Sequence, residues 1–184
     1  MNKKRLKQIE DFATSILEQT NCYSIPVKVE LVAKNLGIGL EGFDFGDTIS
    51  GVFFDDGNKK LIGYNIDNPP NRKRFTIAHE LGHFALDHKR EGIFVDNPTK
   101  YATMFFRDSD SSTGEFLQER EANAFAASLL MPKPFIEKAI DDCYRQNPVE
   151  FLQEDFDLVK ILSEKFEVSK QAMSLRLTNL DKSW

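Results

Sequence analysis

Residues 75–86 of the chain are Phe75-Thr76-Ile77-Ala78-His79-Glu80-Leu81-Gly82-His83-Phe84-Ala85-Leu86. Apolar side chains recur here at three- and four-residue steps and cover more than half of a helix circumference. Pro70, shortly upstream, suits the first turn of a helix. The pattern therefore predicts a helix from about residue 70 to about residue 88. Because so much of its surface is apolar, we expect this helix to be buried at the centre of the fold.

The chain before this helix contains two helical segments and then a block of strands. Apolar residues at helical spacing predict a helix over residues 3–19 and a shorter one between Pro26 and Gly37. β-Branched and aromatic residues predict three strands, at residues 38–45, 49–54 and 60–66. A hairpin turn is predicted between the last two, at Asp55-Asp56-Gly57-Asn58.

The chain after the central helix is helical except for one irregular segment. Residues 89–115 are rich in Asp, Ser and Thr and exceed the usual length of a plain loop. Four further helices are predicted, at about residues 115–130, 133–145, 150–166 and 169–180. We therefore predict an α+β fold: a small, mainly antiparallel three-stranded sheet packed on a helical core, followed by a C-terminal helical region. Residues 1–135 are expected to form the core and residues 136–184 a helical extension packed on it, in a single globular unit.

The composition is that of a globular protein without a nucleic-acid or membrane partner. The 184 residues are 41% hydrophobic and 29% charged, which excludes a disordered or repeat-dominated chain. A net charge of −5 provides no overall positive field to hold a nucleic-acid backbone. The longest apolar run, residues 124–131, is far shorter than the ~20 residues that span a bilayer, and we recognise no secretory signal. Cys22 and Cys143 are expected to be reduced thiols, so we predict a cytoplasmic protein.

The central helix carries two histidines one turn apart. His79 and His83 occupy positions i and i+4, so both imidazoles project from one helix face and can bind a single metal ion. Glu80 points about 100° away from His79 around the helix, where it can reach a water bound to that ion. Both histidines could instead be ordinary core or solvated residues. Two imidazoles buried in an apolar segment would be costly without a ligand, however, so we predict a metal site.

A catalytic zinc ion needs a third protein ligand and an open fourth position. His88 is a poor candidate, because its helix face differs by about 140° from that of His83. A second helix supplies Glu119, which shares a face with small and apolar residues, and Glu121, which lies on a different row. We predict Glu119 as the third ligand, with Glu121 as the alternative, and Asn123 as a hydrogen-bond partner outside the ligands. Two imidazoles and one carboxylate favour one Zn²⁺ per chain over Mn²⁺.

Two separated motifs give the sequence a family resemblance. Phe75–His83, followed by Glu119-x-x-Ala122-Asn123-x-Phe125-Ala126-Ala127-x-Leu129-Leu130-Met131-Pro132, resembles the ImmA/IrrE family of metallo-endopeptidases, and the likeness covers roughly residues 10–135. The resemblance implies zinc bound by His79, His83 and Glu119, with Glu80 as the catalytic carboxylate. It also implies that the substrate is a protein, namely a helix-turn-helix transcriptional repressor of a phage, a mobile element or a stress regulon.

An extended protein substrate can pair with the exposed edge strand of a sheet, which supplies backbone hydrogen bonds. Residues 49–54 are our candidate for that edge. The same residues are equally compatible with an interior strand.

The C-terminal helices leave two other functions open. Residues 158–177 have the apolar spacing of a helix-turn-helix, with Val168-Ser169 as the turn and cap. Glu164 and Glu167 dilute the positive charge there, so we expect the pair to complete the fold or to hold a protein substrate. The alternatives are a DNA-binding regulator that uses this pair, with a structural metal, and a protein that sequesters a repressor without cleaving it.

Overall fold

The computed structural model of the chain describes residues 1–88, 94–96, 114–146, 148, 153 and 156–181. These residues form seven helices and four strands, in the order α1 (Lys3–Gln19), α2 (Val29–Asn35), β1 (Gly39–Phe43), β2 (Gly51–Asp55), β3 (Lys60–Asn65), α3 (Pro70–Ala85), β4 (Phe94–Asp96), α4 (Gly114–Leu130), α5 (Lys133–Gln146), α6 (Leu158–Phe166) and α7 (Lys170–Asp181). The predicted α+β class is confirmed.

The strands form one mixed sheet in the order β1-β3-β2-β4. β3 pairs in parallel with β1 and antiparallel with β2, and β2 pairs antiparallel with β4. All three predicted strands are present, and the hairpin turn is closed by Gly57 at a φ of 84°. Two of the three strand pairs are antiparallel, in agreement with the mainly antiparallel sheet predicted, and the third is parallel. The sheet differs from the prediction in having a fourth strand, β4. The rest of the predicted irregular segment before α4 lies outside the described residues.

The position of β2 decides the question of the sheet edge. β2 lies between β3 and β4, and Gly51–Phe53 pair with Asp96–Phe94. Residues 49–54 therefore contain an interior strand, and the candidate edge role predicted for them is wrong. The residue pattern of a strand shows that it pairs but not with how many neighbours, because pairing depends on contacts distant in sequence.

Helix α3 is the centre of the molecule, as predicted. Every residue from Thr76 to His83 is buried, and α3 packs against α2, α4, β2 and β3. The two helices approach closely at Gly82, where a Cβ atom would lie 3.1 Å from the Cα and the carbonyl oxygen of Ala122. Small residues at this crossing bring the two helix backbones close together, so a side chain on α4 can reach the histidines of α3.

Two buried arginines connect the last two helices, α6 and α7, to the rest of the molecule. Arg176 of α7 is buried, donates a hydrogen bond to the carbonyl of Met131 and forms an ion pair with Glu10 of α1. Arg74 of α3 donates to the carbonyl of Glu167 at the end of α6. The division of the chain after residue 135 stays a prediction. Among the described helices, none combines the length and the apolar character that crossing a membrane requires.

One helix boundary differs from the sequence-based prediction. Apolar spacing predicted a helix from about residue 150, but residues 156 and 157 are not helical and α6 begins at Leu158. The Asp157 side chain accepts a hydrogen bond from the backbone N–H of Lys160 at 2.8 Å. This N-cap stabilises the start of α6 there, and the apolar spacing upstream conceals the boundary.

Candidate metal centre

Three potential ligands meet between α3 and α4. The Nε2 atoms of His79 and His83 are 2.9 Å apart, and both rings are almost fully buried. Glu119 enters from α4: its Oε2 is 3.3 Å from Nε2 of His79, and its Oε1 is 3.6 Å from Nε2 of His83. The three ligand atoms all lie within 4.8 Å of one another. The structure thus brings together the two predicted histidines and Glu119, which the sequence favoured over Glu121.

The donor set fits a zinc ion. Nitrogen and oxygen ligands at about 2.0–2.1 Å from a tetrahedral zinc ion are roughly 3.3 Å apart, close to the separations among these three groups. Burial alone would raise the pKa of the Glu119 carboxyl, but hydrogen bonds from Nε2–H of protonated His79 and His83, together with their positive charge, outweigh that effect and hold the pKa well below its usual range. A bound metal ion would take the place of those Nε2 protons. Glu119 is therefore ionised, as a ligand must be. Among the residues that the structure describes, three such groups meet here, one fewer than the four ligands of a tetrahedral zinc ion.

The ring of His79 is oriented by a contact that the sequence predicted. Nδ1 of His79 lies 3.0 Å from Oδ1 of Asn123, one turn beyond Glu119 on α4. An amide oxygen can only accept a hydrogen bond, so Nδ1 carries a proton, and in the neutral ring Nε2 keeps its lone pair. Nε2 faces His83 and Glu119, so a ring protonated only on Nδ1 is the tautomer that metal binding requires.

Glu80 lies on the side of α3 that faces the sheet. It is 1% exposed. Its Oε1 is 3.6 Å from the position that a Cβ atom on Gly51 of β2 would take. The absence of a side chain at Gly51 allows β2 to lie directly against this part of α3. A buried carboxylate is thus held between the helix that carries the histidines and a strand of the sheet.

Glu121, the alternative ligand, has other partners. Its carboxylate accepts two hydrogen bonds from Arg5 of α1, 2.7 Å from Nε and 2.6 Å from Nη2. Nε2 of His88 is 3.3 Å from Oε2 of Glu121. The bond from Arg5 lowers the pKa of the Glu121 carboxyl, against the opposing effect of burial, and the contact with His88 lowers it further.

His88 contacts the candidate metal centre but is not one of the three groups that converge there. Its Nδ1 is 3.0 Å from Nδ1 of His83. Helical spacing predicted that His88 faces away from His83, because the predicted helix extended to residue 88. In fact α3 ends at Ala85 and the chain turns at Asp87, which has a φ of 50°. One signal was available: all three histidines of the chain lie within residues 79–88.

Comparisons with known proteins agree with this geometry. The sequence matches the model of the family Peptidase_M78, described as the IrrE N-terminal-like domain, over residues 33–178. No curated protein matches it. A solved structure of a Mycobacterium tuberculosis transcriptional regulator has a similar fold, with a TM-score of 0.60 and 16% sequence identity. The alignment covers 93% of this chain and 46% of that one, so this chain spans less than half the length of that regulator.

The family match covers most of the chain and includes α3 and α4, the two helices that carry His79, His83 and Glu119. It also agrees with the resemblance to ImmA/IrrE metallo-endopeptidases in the two motifs of the sequence. The chain therefore belongs to the Peptidase_M78 family of IrrE N-terminal-like domains.

Proposed function

We propose that the protein is a zinc-dependent endopeptidase. His79, His83 and Glu119 would hold the ion, and Glu80 would act as the catalytic carboxylate. The observation that carries the proposal is the convergence of two buried imidazoles and a carboxylate from two helices. Membership of a peptidase family supports it.

In the proposed peptide hydrolysis, a bound metal ion and residues of the chain have separate roles. A bound Zn²⁺ would supply Lewis acidity, lowering the pKa of water from 15.7 to about 7 and polarising the scissile carbonyl. Glu80 would accept the proton of the attacking water on its carboxylate and return it to the leaving amine. Its burial against Gly51 shields that proton from bulk solvent. Asn123 holds the His79 ring so that its Nε2 lone pair points at the centre.

We propose a helix-turn-helix transcriptional repressor of a phage, a mobile element or a stress regulon as the substrate. The support is the resemblance to the ImmA/IrrE family. The fold shared with a protein described as a transcriptional regulator is compatible with it.

The experiment that tests this function uses the full chain and a repressor encoded beside its gene. Wild-type protein with one Zn²⁺ per chain should cleave the repressor, and mass spectrometry should locate one scissile bond. Glu80→Gln should still bind the metal but lose at least about 10²-fold in rate. The variant His79→Ala, which lacks a ligand, should lose both metal and activity. Absence of cleavage by zinc-loaded wild type would contradict the proposal.

The same experiment separates the alternatives. A sequestering protein would inactivate the repressor equally well as wild type and as Glu80→Gln, with no fragments. A DNA-binding regulator would show salt-sensitive binding to duplex DNA. The structure favours neither alternative, and Arg176 of the second helix in the C-terminal pair is buried against Met131 and Glu10 rather than free for a phosphate.

A further inference from the structure

We propose that His88, Glu121 and Arg5 form a positioning chain that fixes the tautomer and the orientation of the His83 ring at the metal centre. The inference rests on the proposed function, because it assumes that His83 binds the metal through Nε2. It assigns a role to three residues outside the ligand set. None of the three is proposed to touch the substrate.

The contacts run without a gap from α1 to the metal centre. Nε2 of His83 faces His79 and Glu119, which leaves Nδ1 as its outer nitrogen. That Nδ1 is 3.0 Å from Nδ1 of His88. Nε2 of His88 is 3.3 Å from Glu121, and Glu121 is held by two short hydrogen bonds from Arg5.

While both rings are neutral, the chemistry of these groups gives the chain of hydrogen bonds a single direction. An ionised carboxylate can only accept, so Nε2–H of a neutral His88 donates to Glu121. The lone pair of that ring is then on Nδ1, which accepts from Nδ1–H of His83. His83 is left with its lone pair on Nε2, where a metal ligand needs it. In the opposite tautomer of either neutral ring, at least one of these contacts would bring together two donors or two acceptors.

The two ligand histidines are therefore oriented by different devices. Asn123 accepts directly from His79, whereas His83 is held through a second imidazole and a carboxylate. The side chains of His88 and Glu121 are 5% and 8% exposed, so water competes little for their hydrogen bonds. Arg5, which is 40% exposed, connects this buried chain to the surface of α1.

The test is a competition titration of zinc against a chelator at one fixed pH. His88→Phe retains a ring of similar size and removes both hydrogen bonds, so the dissociation constant for zinc should rise about 10–100-fold. Glu121→Gln is almost isosteric and leaves one oxygen for both Arg5 and His88, so it should cause a smaller rise. The double variant should bind no more weakly than His88→Phe, because the chain is already broken.

The control is Glu10→Gln, which weakens the anchor of α1 to α7 without touching the chain. It should leave the zinc dissociation constant within about twofold of wild type. In zinc-loaded wild type the Nδ1–H of His83 should give a slowly exchanging proton NMR signal, which is lost in His88→Phe. Equal zinc affinity of wild type and His88→Phe, or additive losses in the double variant, would overturn the positioning chain alone. Failure of wild type to bind zinc would overturn the proposed function as well.

Discussion

Glu119 and Glu121 stand two residues apart on α4 and have different partners. Positions two apart on a helix differ by about 200° around its axis. The Glu119 carboxylate accordingly faces the histidines of α3, while that of Glu121 is held by Arg5 of α1. The sequence distinguished the two because Glu119 shares its row with small residues such as Ala122 and Ala126.

The Arg5–Glu121 pair makes stability depend on pH in a predictable direction. The pKa of Glu121 is lower in the folded protein than its ordinary value of 4.5, chiefly through the bond from Arg5. Such a group stabilises the fold above its ordinary pKa, and the stabilisation is lost as the pH falls through the folded-state pKa. Glu121→Gln should therefore unfold more easily than wild type at pH 7, and the difference should shrink below about pH 4.5.

The difference in unfolding free energy between wild type and Glu121→Gln can be measured by urea unfolding at a series of pH values from 7 to 3. A chelator in every sample removes the contribution of bound metal. Glu164→Gln, on an exposed position of α6, is the control for removing one negative charge. A deficit of Glu121→Gln that stays constant over the whole series would contradict the prediction.

At this scale, the sequence revealed the residues whose spacing is regular. The convergence of His79 and His83 follows from helix geometry, and Asn123 follows from its place one turn after Glu119. The catalytic role of Glu80 stays a prediction. The contacts of His88 and Arg5 could not be predicted from the sequence. His88 reaches His83 because the chain reverses at Asp87, and Arg5 is brought to Glu121 by tertiary packing over 116 positions of sequence.

At the scale of elements, α3 is enclosed between β2 and α4 by two close approaches. Gly82 meets Ala122 on one side, and Gly51 meets Thr76 on the other. A Cβ atom on Gly51 would be 2.3 Å from Cγ2 of Thr76 and 3.2 Å from the carbonyl oxygen of Gly63. The position of Glu80 relative to the sheet thus depends on the missing side chain of one strand residue.

Gly51→Ala should be destabilising because the new methyl group overlaps a buried, stiff side chain. The expected loss is about 1–3 kcal/mol of unfolding free energy, the usual cost of overpacking a core. Thr76→Ser removes Cγ2 and with it the overlap. The double variant Gly51→Ala/Thr76→Ser should therefore lose less stability than the sum of the losses in the two single variants. Denaturant midpoints of the four proteins measure this coupling. Strictly additive losses would show that β2 does not press on α3 at Thr76.

The helices were predicted more completely than the sheet for a physical reason. The apolar face of α1 or α3 is a local pattern, since every helical hydrogen bond joins residues four apart. The order β1-β3-β2-β4 is not local. Nothing in the residues of β1 indicates that it pairs in parallel with β3 rather than with β2. β4 is three residues long, too short for an alternating pattern to be recognised.

At the scale of the whole molecule, Arg176 connects the first and last helices to the core. Burial lowers the pKa of its guanidinium, and the neighbouring Glu10 carboxylate opposes that effect. The guanidinium is thus a buried charge that its partner Glu10 compensates. Its second contact, to the carbonyl of Met131, lies just after the end of α4. One side chain therefore bridges α1, α7 and the helix that carries Glu119.

If the chain is one cooperative unit, removing this bridge should destabilise all of it together. Arg176→Met leaves the Glu10 carboxylate without its cation, and breaking a buried pair from one side costs about 3–5 kcal/mol. Because Glu10 is more exposed than Arg176, we expect the lower end of that range. Unfolding should be followed by circular dichroism, which reports all helices, and by the hydrogen-exchange protection of α3 alone. Both should shift equally in the variant, since a shared bridge couples the C-terminal helices to the core. Early loss of helical signal with α3 still protected would instead show that the C-terminal helices unfold as a separate unit.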